Sequence, residues 1–342
     1  MRKRFGAVIA AASLSAATAV PAQGWEDDYE PPRTAAGKPS FEGIWTNASL
    51  TVLERPDIIQ SLVVNEQQAQ MMAAFMQRMR DADSGPTDPD APAPEAGDDV
   101  GGYNTFWMDP GERVAMIDGE YRSSWIVYPE DGKMPLTEHG KAIIRRREGW
   151  AGFDNYDNPE VRSAGERCTV GFGSTGGAPM LNVLYNNHYQ FVQTPETVAI
   201  RVEMNHNTRL IRLDGEHLSA EMAPWLGDSV GHWEGDTLVV NTTHFHEGNL
   251  FRPAIRHRIY LTPDAEVEER FTRVADDAIL YEFSVTDPEV YTETWKAEMV
   301  LTRDDEPIYE YACHEGNYSL PGILAGARRE EAEQKGEATG SE

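Results

Sequence analysis

Ile279-Leu-Tyr-Glu-Phe-Ser-Val285 sets Ile279, Tyr281, Phe283 and Val285 on one face of an extended chain and Leu280, Glu282 and Ser284 on the other. Successive side chains point to opposite faces of a strand, so this stretch reads as a β-strand with one apolar and one mostly polar face. Working outward, extended apolar-bearing segments recur at 121–128 (YRSSWIVY), 188–193, 197–204 (TVAIRVEM), 208–213, 237–243 and 266–274. Asp118-Gly119, Asp131-Gly132 and Asp214-Gly215 stand between such segments, and Asp-Gly supplies the positive backbone angles of tight hairpins.

Many closely spaced strands with few helices predict a mainly β fold, an antiparallel barrel of the lipocalin kind or similar, with a strongly bent sandwich as the alternative. A barrel removes exposed strand edges and has room for one small ligand. No period of 20–50 residues recurs, which argues against solenoids and propellers. A helix is predicted over Asn65–Arg80, where Asn65 and Gln68 have capping-box spacing and Met71, Met72, Phe75, Met76 and Met79 form a stripe read as core packing. Short helices are expected at 137–147 and 321–335.

The chain has 342 residues, 40% of them hydrophobic, enough for a sizeable core. Its 57 acidic residues against 30 basic ones give a net charge of -27, which disfavours nucleic acid and anionic membranes as partners. Residues 1–22 read as a cleaved secretory signal: Arg2, Lys3 and Arg4 precede a small apolar run, and Val20-Pro-Ala22 offers a cleavage site. No later segment is long and apolar enough to span a bilayer, so a periplasmic or secreted protein is expected. Residues 23–40 read as a flexible leader that drapes over the domain or stays mobile. A single β-rich domain follows over 41–335, with a disordered acidic loop at 83–99 (DSGPTDPDAPAPEAGDD) and a tail at 336–342. In an oxidising compartment Cys168 and Cys313, the two cysteines of the chain, are expected to bridge; the alternative is a reactive thiol.

The chain has no G-x-G-x-x-G after a strand, no phosphate loop, no H-E-x-x-H, no C-x-x-C and no G-x-S-x-G, so cofactor-free chemistry is the expectation. His-Glu-Gly-Asn occurs at 246–249 and at 314–317; His314 and Glu315, beside Cys313 and the tyrosines 309, 311 and 318, are candidate proton-transfer groups. Glu203, His206 and Arg209 form a second cluster at a strand end, where a carboxylate, an imidazole and a guanidinium can meet a polar group. His244 and His246 share a strand face, but no third ligand has a diagnostic spacing, so no metal is assigned. Trp225, Tyr185 and Tyr318 are candidate aromatic walls, and Asn187, Arg209 and Asp228 candidate polar contacts for a substrate.

These stretches resemble a family of exported, largely uncharacterised bacterial proteins. The resemblance rests on Trp45-Thr-Asn-Ala-Ser-Leu-Thr51, Leu53-Glu-Arg-Pro56, Tyr185-Asn-Asn-His-Tyr-Gln190, Gln193-Thr-Pro195, Trp233-Glu-Gly-Asp-Thr-Leu-Val-Val240 and Tyr309-Glu-Tyr-Ala-Cys-His-Glu-Gly-Asn-Tyr318. It implies a shared β-rich fold and brings no established reaction. Where the family pattern has Glu-Met-x-His-Asp, this chain has Asn207 in place of the Asp, which weakens a His-Asp pair there.

The functional expectation is an exported, cofactor-independent lyase, isomerase or hydrolase. It would use His314, Glu315, His206 and Glu203 for acid–base work on a small aromatic or apolar molecule, such as a plant-derived phenolic. The alternative is a periplasmic small-molecule binding protein without turnover. A homo-oligomer is left open.

Overall fold

The strand read at 279–285 runs one residue further at each end in the folded chain. The computed structural model describes residues 24–26, 28–84, 108–148, 156–171, 176–249, 251–254 and 257–339. The expected signal at 1–22, residues 85–99 of the expected acidic loop and residues 340–342 of the tail lie outside the described residues.

Nine strands form the barrel: β1 (Gly43–Thr46), β2 (His188–Gln193), β3 (Thr197–Val202), β4 (Thr208–Leu213), β5 (Asp228–Glu234), β6 (Thr237–Thr243), β7 (Glu266–Ala275), β8 (Ala278–Thr286) and β9 (Trp295–Asp304). They follow one another around the ring in chain order, and β9 pairs back onto β1. β4 and β5 are parallel, with Ile211 opposite Ser229; every other neighbouring pair in the ring is antiparallel. The fold is thus mainly β and a closed barrel, but it is mixed and nine-stranded, whereas a lipocalin barrel has eight up-and-down strands.

The sequence of β5 (DSVGHWE) resembles a pair of turns more than a strand, because it carries Asp228 and Gly231. Packing explains the glycine. A methyl group at Gly231 would stand 2.8 Å from Cγ2 of Ile211 on the parallel neighbour, so a larger residue would force the two strands apart. The expected strand at 121–128 divides into Glu120–Arg122 and Ile126–Tyr128. Between them the Ser123 hydroxyl turns away to donate to the carbonyls of Ser61 and Leu62, at 2.7 and 3.0 Å.

Three α-helices occur among the described residues: α1 (Glu66–Asp83), α2 (Glu138–Glu148) and α3 (Ser319–Thr339). Asn65 and Gln68 close the capping box of α1 as their spacing predicts. The methionine stripe splits, which corrects its reading as core. Met72 and Met76 pack on a small cluster around Leu50, Val64, Ala69 and Val114, while Met71, Phe75 and Met79 face solvent.

Alternate residues of each strand point inward and fill the barrel, among them Phe191, Ile200, Val240, Phe271, Phe283, Trp295 and Met299, all buried. One polar group crosses this core. Arg209 (3% exposed) holds both carboxylate oxygens of Glu269 (0%), and also donates from Nε to Ser229 Oγ at 2.8 Å and from Nη2 to Thr242 Oγ1 at 2.7 Å. The Tyr281 hydroxyl donates to Glu269 Oε1 at 2.7 Å and accepts from the Met180 amide at 2.9 Å. The network ties β4 to β8 together.

Both mouths are closed. At the lower end, where β4 finishes, residues 28–42 form a strap held by Tyr29 on Asp276 (3.0 Å), by Arg33 bidentate on Asp236 (2.6 and 2.7 Å) and by Arg273 on the Ser40 carbonyl (2.6 Å). The strap ends in buried Phe41, whose ring stacks on Trp233 at 5.8 Å. At the upper end Ala178, Met180 and Leu181 plug the mouth and are fully buried. The expected disulfide is present: Cys168 and Cys313 bridge with Cα atoms 5.6 Å apart.

A buried charge left without its partner costs more than the pair contributes. Arg209→Met or Glu269→Leu alone is therefore expected to lower unfolding free energy by about 3–5 kcal/mol. The double variant should lose clearly less than the sum of the two, as measured by urea denaturation in a double-mutant cycle.

Candidate functional site

A parallel β4–β5 pair requires the chain between them, Asp214–Gly227, to return from the lower end to the upper end before β5 can start. Asp228, the first residue of β5, fixes that return. Its neighbour Ser229 points into the barrel toward Arg209, so Asp228 points outward, yet only 3% of it is exposed because the returning segment covers it. It accepts from Arg212 Nη1 and Nη2 (2.9 and 3.0 Å), from the Leu218 amide (2.9 Å) and from His217 Nδ1 (2.8 Å). Burial pushes its carboxyl pKa up, but Arg212, the Leu218 amide and His217 outweigh that and hold it at about 2. His217 Nε2 meets Asn241 Oδ1 at 3.0 Å, and its ring lies edge-on to His244 at 5.9 Å.

The return segment ends at the upper rim between two other loops. Gly176, at the edge of the plug, is flanked by Asn207 and Leu226: a methyl there would stand 3.1 Å from Asn207 Nδ2 and 3.7 Å from Leu226 Cδ1. The next residue, Gly227, packs on Thr242 and Phe245 where β6 ends. Trp225 stacks on His246 at 4.0 Å, and His246 Nδ1 accepts from the Gly248 amide at 2.9 Å, which puts the proton of the neutral ring on Nε2. The upper rim is therefore built from 205–207, 225–227 and 243–248, joined through Gly176, Gly227 and the Trp225–His246 stack.

Two observations single it out. Asn205, His206 and His244 have left-handed backbones, with φ of 58°, 52° and 56°, a region that costs non-glycine residues energy. Among the described residues, Asn205 Oδ1, His206 Nδ1, Asn207 Nδ2, Thr243 Oγ1 and His244 Nδ1 are buried without a hydrogen-bond partner. Buried polar atoms almost always find partners, and among the described residues these five are the ones of their kind that fall together on two short loop segments, 205–207 and 243–244.

The loop bearing Asn205 and His206 is anchored by a second cluster that the sequence reading missed. His188, facing outward on β2, meets Glu203 Oε2 from Nδ1 at 2.9 Å and Asp304 Oδ2 from Nε2 at 3.0 Å. Glu203 is buried, and its Oε1 accepts from the Tyr309 amide at 3.1 Å. The side chains reach from the end of β3 across β2 and β1 to β9. Burial lowers the His188 pKa, but the carboxylates of Glu203 and Asp304 prevail and raise it from 6.5 to about 9.

The sequence-derived residues divide accordingly. His206, Trp225 and Asp228 belong to the rim or its support. Glu203 pairs with His188 and not with His206. Arg209 lies in the barrel interior on Glu269, and Asn187 is buried with its amide spent on Val183 and the Asp109 carbonyl. Tyr185 stacks on Tyr311 at 6.3 Å. His314 and Glu315 are exposed on the turn after Cys313, and Tyr318 is exposed beyond them; among the described residues no hydrogen bond or ion pair joins His314 or Glu315 to Glu203, His206 or Arg209. No group of three or more His, Cys, Asp or Glu side chains among the described residues is arranged to hold a metal ion. No described helix is long and apolar enough to cross a membrane.

No protein-family model, no curated protein and no solved structure matches the chain.

The His188 clamp carries a pH signature. Its folded pKa of about 9 lies above the ordinary 6.5, so its stabilisation is complete below about 6.5 and is lost as pH rises through about 9. The Asp304 carboxyl is held below its ordinary value: burial opposes this, while the Glu306 amide and His188 favour it. Its contribution is lost in acid instead. The stability difference between the wild type and His188→Gln is expected to reach about 3 kcal/mol near pH 6 and to shrink toward pH 10, as read from urea unfolding at each pH.

Proposed function

We propose that the chain is an exported member of the family whose sequence strings it resembles, and that its upper rim is the site of cofactor-independent acid–base catalysis. The observation that carries this is the orphaned set on 205–207 and 243–244. A polar ligand supplies the missing partners, and the strained backbone at Asn205, His206 and His244 is the cost of aiming them.

The chemistry follows from the donor set. His206 and His244 each present an unpaired Nδ1, so one imidazole takes a proton while the other returns one. The Asn205 and Asn207 amides and the Thr243 hydroxyl add an acceptor, a donor and a group of either kind, a set suited to hydroxyl and carbonyl substituents. The Trp225–His246 stack supplies the flat apolar surface that an aromatic substrate requires. Because side chains fill the barrel, the substrate is placed on the rim and not in the interior. The reaction class that fits is a lyase, isomerase or hydrolase step on a small phenolic or related molecule. A single positioned proton-transfer group contributes about 10²–10⁴ in rate, which matches an activated substrate. The acid surface and the disulfide accord with a periplasmic or secreted location.

The test joins activity to stability. Purified protein is incubated with small-molecule extracts, and product beyond one equivalent is followed by mass spectrometry. Retention of a ligand without product would reassign the rim to carriage. His206→Gly and His244→Gly are each expected to cut turnover by about 10²-fold or more. Glycine takes a left-handed backbone without strain, so the same variants should keep or slightly raise the melting temperature. Unchanged turnover in both variants would remove the rim from the mechanism.

A further inference from the structure

At the lower end of the barrel, opposite the rim, a cleft of about 450 Å³ opens between the strap and the strand ends. Small-molecule sites typically span about 300–1,000 Å³. One wall is the turn of the strap over 33–39, closed by Thr34 N to the Lys38 carbonyl and Gly37 N to the Thr34 carbonyl, both 2.8 Å. The other wall comes from the β2–β3 turn at Thr194 and the end of β4 at Asp214, and Trp233 forms the floor.

The charges in this cleft are unevenly used. Arg33 is committed to Asp236 through two hydrogen bonds. Lys38, Glu42 and Asp214 also line the cleft, and none of them makes an ion pair or a side-chain hydrogen bond among the described residues. Lys38 reaches Asp236 only as a distant charge. Its ammonium sits 5.6 Å above the Trp233 ring, while Phe41 stacks on that ring at 5.8 Å and fixes it in place. The cleft thus holds one available cation over a rigid aromatic floor and two available carboxylates at its edge.

A purely anionic ligand would meet Glu42 and Asp214 inside a strongly acidic protein, and a purely cationic one would meet Lys38. Opposite charges on one small molecule answer all three groups. We propose that the cleft is a second binding site, for a zwitterion of amino-acid or dipeptide size. Its carboxylate pairs with Lys38, its ammonium with Glu42 and Asp214, and its side chain lies against Trp233. Such pairing is charge-assisted at both ends, which makes it sensitive to blocking either end.

Titration calorimetry of the full chain with a panel of free amino acids and dipeptides, each beside its N-acetyl and C-amide derivatives, tests this. At least one free zwitterion is expected to bind, and blocking either end should weaken binding about tenfold or more. Lys38→Gln should reduce the free zwitterion to the affinity of its C-amide, and Glu42→Gln with Asp214→Asn to that of its N-acetyl form. All three residues are on the surface, so these variants keep the fold, as circular dichroism will show. The proposal is overturned if no zwitterion binds at about 10 mM, if blocked and free forms bind alike, or if Lys38→Gln titrates like the wild type.

Discussion

Strand directions around a closed ring alternate only if the number of strands is even. Nine strands cannot all be antiparallel to their neighbours, so a nine-stranded ring must contain at least one parallel contact, and here it falls between β4 and β5. A parallel contact cannot be made by a tight turn; it needs a connection that travels the length of the strands. Asp214–Gly227 is that connection. Asp228 exists as a buried carboxylate because the returning chain must be held down, and it is held through Arg212, His217 and the Leu218 amide. The same parity that forces the crossover also delivers Trp225 to His246 and Leu226 to the side of Gly176 that faces Asn207, at the upper rim. The candidate site is a by-product of closing an odd ring.

The barrel separates two kinds of polar chemistry. Inside, the Arg209–Glu269 pair is satisfied by Ser229, Thr242 and Tyr281, and its opposite charges cancel, so it serves packing and the docking of the plug through the Met180 amide. On the rim the polar atoms are left open. A buried arginine and carboxylate are satisfied completely while five polar atoms a few residues away have no partner, so two kinds of polar environment stand side by side in one fold. The overall charge of -27 describes the exterior and not either of these places.

Strands whose apolar residues alternate were legible from sequence alone: 188–193, 208–213 and 237–243 form as read. β5 was not, because Asp228 and Gly231 carry turn chemistry in sequence while serving a parallel contact and a crossover anchor in the fold. The capping box of α1 was explicit, yet the side of the helix that meets the core was not, since adjacent methionines at 71–72 offer both. The disulfide was legible from a chain with two cysteines whose N-terminus reads as an export signal. For the candidate site, His206, Trp225 and Asp228 stood out as polar or aromatic residues at strand ends. His188 did not, although alternation with buried Tyr189 would have put it on the outer face. Its partner Asp304 lies 116 residues away, a pairing no local pattern contains. The left-handed backbone at Asn205, His206 and His244 was equally silent, because it is imposed by loop closure and not by residue type.

β1 has four residues and sits in the ring between β2 and β9, yet 141 residues, the plug among them, separate Thr46 from His188 at the start of β2. The other eight strands are neighbours in chain order, and their longest connections are the crossover at 214–227 and the segment 244–265 between β6 and β7. Until β1 is inserted, β2 and β9 are both edges, with unpaired backbone groups that favour pairing with another chain. Ring closure by the most sequence-distant contact raises contact order and slows the final step. A chain that lost β1 from the ring would expose both edges at once, and the His188 clamp, which reaches from the end of β3 to β9 over β1, spans both of the contacts that β1 makes.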